Sequence, residues 1–102
     1  MASSTGYLEY VLDLLADVPE VTTRKMMGEY LLYARGKLFG GIYDDRFLVK
    51  ETPASRAALP TLDVPYDGAA QMRLVDIEDS ERVAELVAAM LAELPEPKRR
   101  RR

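Results

Sequence analysis

The sequence predicts an α+β two-layer sandwich, an antiparallel β-meander sheet with helices on one face. Three observations predict it. Val21 to Lys50 is dense in β-branched and aromatic residues and is divided by polar turn signals at Arg35-Gly36 and Asp44-Asp45. Apolar stripes at helical spacing flank it: Leu8, Val11, Leu12, Leu15 and Val18 before, and Val83, Leu86, Val87, Met90, Leu91 and Leu94 after. The resulting order is helix, strands, short helix, strand, helix, which segregates the helices to one side of a single sheet.

The elements follow in order. Ser3, Ser4 and Thr5 offer N-cap oxygens to the first helix, and Glu9 near its first turn suits the helix dipole. Pro19 stops it, since the residue before a proline is pushed out of the α region. Val21 to Met26 reads as a short strand or extended lead-in, and Gly28 as a bend or bulge. Tyr30–Ala34, Lys37–Tyr43 and Arg46–Glu51 are the three arms of the meander. Two-residue hairpin loops need positive φ, which glycine accepts and aspartate tolerates. Arg35 fits this less well, so the first turn is either a two-residue loop or carries a bulge at Gly36. Pro53 suits the first turn of a short helix, Ala54 to Leu59, closed by Pro60. Leu62 to Gly68 reads as a loop and Gln71 to Ile77 as a further strand. Asp79 or Ser80 caps the last helix, which Pro95 and Pro97 end. Residues 1–97 form one domain of this kind, and 98–102 a disordered basic tail that cannot bury anything.

Two-residue loops fix a register. Tyr33 then faces Leu38, Leu31 faces Gly40, Ile42 faces Phe47 and Gly40 faces Val49, and side chains alternate between faces. One face becomes Leu31, Tyr33, Leu38, Gly40, Ile42, Phe47 and Val49, almost wholly apolar and expected beneath the helices. The other carries Tyr30, Leu32, Ala34, Lys37, Phe39, Gly41, Tyr43, Arg46, Leu48 and Lys50. It is too apolar for a wet surface. An exposed patch of Tyr30, Leu32, Phe39, Tyr43 and Leu48, with Gly41 allowing close approach, is therefore expected to be a contact surface between two copies.

Composition narrows the chemistry. The chain has 102 residues, 48% hydrophobic and 30% charged, as befits one folded domain. No apolar run is long enough to span a membrane, and no secretory leader is read, so a cytoplasmic location without membrane contact is expected. Cysteine and histidine are both absent, which excludes disulfides, thiol nucleophiles and Ser-His triads and argues against zinc, copper and non-haem iron. No cofactor, metal or catalytic residue is expected. The net charge is −3 and Lys98–Arg102 are five basic residues, so residues 1–97 carry −8. Such a body repels phosphate, and nucleic acid is expected to bind weakly, through the tail, if at all.

Local candidates are few. Arg24 and Lys25, beside Met26-Met27, could contact an anion, but the plainer reading is a strand edge with exposed cations and core methionines, since anion sites usually add a helix N-terminus or glycine nest. Gly40-Gly41 lies mid-strand, where glycine costs about 0.5–1 kcal/mol relative to alanine. Helix packing accounts for Gly40, and close approach of a partner or ligand is an alternative for Gly41. Asp44-Asp45 is explained as a turn, and Glu29, Asp67, Asp76 and Glu78 show no spacing that forces two carboxylates together.

The string Arg24-Lys25-Met26-Met27-Gly28-Glu29-Tyr30, followed by Tyr33, Gly36-Lys37, Gly40, Asp44-Asp45-Arg46, Leu48 and Lys50, resembles the TfoX N-terminal domain family. The resemblance covers nearly the whole body and is strongest over Val21 to Lys50. It implies a two-layer α+β fold similar to that of secretion chaperones and other small dimeric modules. Members of its competence-regulator group act as co-activators beside a DNA-binding regulator and carry a second, C-terminal helical domain, for which this chain offers no sequence. The family supplies no catalytic residues. Together these readings point to a non-enzymatic interaction module, resembling a transcription or competence regulator, that is homodimeric and contacts an unknown protein partner. The alternative is a small-ligand or nucleic-acid binder using Arg24, Lys25 and the tail.

Overall fold

The computed structural model describes residues 4–94. The basic tail, the prolines that precede it and Ser3 lie outside the described residues. The chain begins with helix α1 (Thr5–Leu14), capped by the Ser4 hydroxyl, which accepts from the Tyr7 amide at 3.1 Å. The helix ends earlier than Pro19 requires. Residues 15–18 continue as tight turns, Ala16 N donating to Asp13 O and Val18 N to Leu15 O, and this keeps Leu15 and Val18 in the core.

Strands β1 (Val21–Met26), β2 (Glu29–Ala34), β3 (Lys37–Ile42) and β4 (Phe47–Val49) form the expected meander, and β1 pairs fully with β2. The turns between them share one conformation. Met27 and Gly28, Arg35 and Gly36, and Asp44 and Asp45 all have positive φ, the arrangement that matches the twist of a two-residue hairpin. Arg35 at φ 54° thus accepts the strained position, and the bulge considered for Gly36 forms elsewhere. Helix α2 (Pro53–Ala58) has Pro53 in its first turn and a Thr52/Ser55 capping box. Strand β5 (Leu62–Asp63) lies in what the sequence suggests is only a loop. It pairs with β6 (Met72–Leu74), which is shorter than Gln71 to Ile77. Helix α3 (Ser80–Glu93) is capped by Asp79, whose carboxylate accepts from Glu81 N at 3.0 Å. The result is an open antiparallel sheet of six strands, ordered β1-β2-β3-β4-β6-β5.

The helices back one face, but that face differs from the predicted one over half the meander. Tyr33 pairs with Leu38 as expected, whereas Leu32 pairs with Gly40 and Leu31 with Gly41. One extra residue, Phe39, has entered β3 as a β-bulge, and an odd insertion exchanges the faces on its far side. Ile42, Phe47 and Val49 are buried as expected. On β2 and the start of β3, however, Tyr30, Leu32, Ala34 and Phe39 are the core residues, packed with Val11, Val83, Val87 and Met90. Leu31 and Leu38 are only half-buried.

Lys37 explains why the helix side looks polar in sequence. Its ammonium donates to the carbonyls of Leu91 at 2.8 Å and Leu94 at 3.3 Å, closing the C-terminal end of α3. A cation is thus useful beneath the helices.

Candidate functional site

The face away from the helices carries Thr22, Arg24 and Met26 from β1, Glu29, Leu31 and Tyr33 from β2, and Leu38 from β3, by the register of the ladders. Beyond the bulge it continues through Gly41, Tyr43, Leu48, Lys50, Met72 and Leu74. Its two halves differ. Over β4 and β6 it is covered by the chain itself; over β1 to β3 it is open.

Arg46 builds the cover. Its guanidinium meets Asp63 Oδ2 at 2.9 Å and donates to the carbonyls of Val64 at 3.1 Å and Pro65 at 3.3 Å. Its Nε–H donates to Tyr43 O at 3.1 Å, so one side chain ties the β3–β4 hairpin to the segment after β5. The same arginine, through its hydrogen bond first, holds the Asp63 carboxyl below the ordinary carboxylate range. Tyr43 and Tyr66 then meet with ring centroids 6.4 Å apart. Burial, reinforced by Tyr66, Glu29 and Tyr33, pushes the Tyr43 hydroxyl above its ordinary value, so it stays protonated at neutral pH.

This arrangement corrects the predicted contact patch. Tyr30, Leu32 and Phe39 lie on the helix side and are at most 7% exposed, so they present nothing to a partner. Tyr43 and Leu48 do lie on the outer face but are buried there, at 9% and 0%. The notch at Gly41 is filled from within: a Cβ placed there would meet the Tyr43 ring at 2.7 Å and Tyr30 O at 2.8 Å. No partner backbone is needed to explain this glycine. Gly40 is likewise confined, its Cβ direction running into Leu48 O and, at 2.9 Å, Val49 Cα.

Arg24 and Lys25 are both exposed on the edge strand but do not converge. Arg24 stands opposite Leu31 on the outer face and Lys25 opposite Tyr30 on the helix side. Asp44 and Asp45 act structurally. The Asp45 carboxylate accepts from Ser4 N at 2.8 Å, tying the start of α1 to the hairpin, while Asp44 N donates to Glu29 Oε1 at 3.1 Å.

What remains is an open, largely apolar region. Leu31, Tyr33 and Leu38 are half-buried, Met26 is 46% exposed, and Met27 at the adjoining turn is 94% exposed. Sequence reasoning placed Leu31, Tyr33 and Leu38 together, but on the wrong side of the sheet.

These features define a two-layer α+β domain whose helices cover one sheet face from β2 to β4 and whose other face is partly bare. Among the described residues no helix is long and apolar enough to cross a membrane, and no group of His, Cys, Asp or Glu is placed to hold a metal ion. The family model for the TfoX N-terminal domain matches residues 13–89, and the chain belongs to that family. It is also similar to an uncharacterised 12.7 kDa protein encoded in the trpE 5′ region of Spirochaeta aurantia, with 34% identity over 105 residues, 99% of this chain and 91% of the relative.

Proposed function

We propose that this domain is a non-enzymatic cytoplasmic interaction module, of the regulator-like kind its family suggests, and that it grips a protein partner with the bare half of its outer sheet face. One observation carries this reading: among the described residues, Met26, Leu31, Tyr33 and Leu38 form an apolar area with no helix over it, beside β1 at the edge of the sheet. Apolar area of this kind marks contact surfaces, and an edge strand adds backbone donors and acceptors to it. Arg24 on the same face and Lys25 at the edge would discourage indiscriminate strand pairing and favour an acidic partner. A homodimer could not use Leu32 or Phe39, because both are sealed beneath the helices.

The perturbed titratable groups support a binding role over a catalytic one. Glu51 and Asp63 are pulled down by arginines, and Tyr7 and Tyr43 are pushed up by burial. Each shift moves the group away from neutral pH, the opposite of what proton-transfer catalysis uses. The alternative of an anion or nucleic-acid site at Arg24 and Lys25 is weakened by their divergence to opposite faces.

Site-specific photocrosslinking in the native cell tests the reading. A benzoylphenylalanine at Leu31 should give a discrete adduct with a protein, and the same probe at Arg82, exposed on α3, should not. Adducts from Arg82 alone, or equally from both, would move the contact surface off the sheet.

A further inference from the structure

The covered half of the outer face is not solid. A cleft of about 560 Å³ opens between β3 and the segment that follows β5, lined by Leu38, Tyr43, Tyr66, Ala69, Met72 and Lys50, among others. That volume lies within the range of small-molecule sites, which are mostly apolar with a few placed polar groups.

Lys50 is the placed group. It is half-buried, lines the cleft, and has no carboxylate or carbonyl partner for its ammonium among the described residues. Glu51, a carboxylate that also lines the cleft, is already committed to two arginines. Its Oε2 accepts from Arg73 at 2.9 Å and Arg56 at 3.2 Å. The other nearby cation is also spent, since Arg46 is held by Asp63 and three carbonyls. A larger cleft, about 690 Å³, lies between residues 17–19, the β2–β3 turn and α3. There the lining lysine, Lys37, is used up on the carbonyls that end α3.

We infer that this cleft binds a small organic monoanion, with an aromatic or bulky apolar body against Tyr43, Tyr66, Leu38 and Met72 and its carboxylate on Lys50. Both halves of the ligand are required. A bare anion gains too little from one half-solvated ammonium and is repelled by the acidic body; an apolar body contributes the area term that a bare anion lacks. The cleft shares Leu38 with the proposed contact area, but Met26, Leu31 and Tyr33 do not line it, and its test does not depend on any protein partner.

The test is an NMR titration of the purified full chain with 2-naphthoate and with 2-naphthalenemethanol, its neutral counterpart. Naphthoate should shift the signals of Leu38, Ala69, Ala70 and Met72. Lys50→Met, which removes the charge and keeps the stem, should weaken naphthoate by about tenfold, the size of one charge-assisted contact, and change the alcohol by less than about twofold. Lys25→Met is the control and should leave both unchanged. Unfolding midpoints of the variants show that the fold is retained. Naphthoate shifts scattered away from the cleft, or equal binding by Lys50→Met and the parent chain, would overturn the assignment.

Discussion

Leu32 stands opposite Gly40 in the β2–β3 ladder, and the residue this pairing leaves over on β3, Phe39, is wholly buried beneath the helices. That single insertion sets which side chains fill the core and which stay outside. Leu31 and Leu38, next to these residues in sequence, are left on the open face by the same step.

Phe39 is therefore a core residue. Phe39→Glu should abolish cooperative unfolding by burying an unpaired carboxylate. Phe39→Ala, like Phe47→Ala, should cost about 3–5 kcal/mol in denaturant unfolding, as large core aromatics do. Tyr33→Ala on the open face should cost about 1 kcal/mol or less.

The paired glycines differ in what surrounds them. At Gly40 an added Cβ meets backbone, Leu48 O and Val49 Cα, which cannot move without breaking the ladder. At Gly41 the Tyr43 ring is among the nearest atoms and could turn, although Tyr30 O stands at 2.8 Å. Both alanine variants should be destabilised by about 1–3 kcal/mol, with Gly40→Ala the worse. Thermal melts of the two proteins order them directly.

Met27 occupies the first position of the β1–β2 turn at φ 53°, a conformation that an unbranched side chain accepts reluctantly. Asparagine is suited to that position ahead of glycine. Met27→Asn should therefore raise stability by about 0.5–1 kcal/mol, since the methionine is 94% exposed and gives up little packing. Chemical denaturation at constant slope measures the gain.

Glu51 supplies a pH dependence. Hydrogen bonds from Arg73 and then Arg56 hold its carboxyl below the ordinary value of 4.5. Between the folded value and 4.5 the unfolded chain binds more protons, so stability rises with pH there. The contribution is complete above the unfolded value and is lost as pH falls through the folded one. Stability of the parent protein should drop more steeply between about pH 5 and 3 than that of Glu51→Gln. Parallel curves would show that the arginine contacts do not persist in solution.

The stripes of the first and last helices and the turns at Arg35-Gly36 and Asp44-Asp45 are legible in the sequence because periodicity and turn chemistry are local. The bulge at Phe39 is not legible, since nothing local distinguishes a strand that gains a residue from one that does not. Its consequence reached the candidate site directly: the faces of β2 exchanged, and Tyr30, Leu32 and Phe39 passed from surface to core. Lys37 added to the error, because its role at the end of α3 depends on a residue 54 positions away. Lys50 was placed correctly on the outer face, but its cleft depends on the Arg46 contacts to residues 63–65, which no spacing announces.

The central claim is that the helices seal the Leu32 side of the sheet and leave the Leu31 side bare. Methyl-resolved NMR of the protein alone, with a soluble paramagnetic agent, measures it in one experiment. The methyls of Met26, Leu31 and Leu38 should be strongly relaxed, and those of Leu32, Val83 and Met90 protected. Protection of Leu31 and Leu38 equal to that of Leu32, or relaxation of Leu32 equal to theirs, would contradict the account.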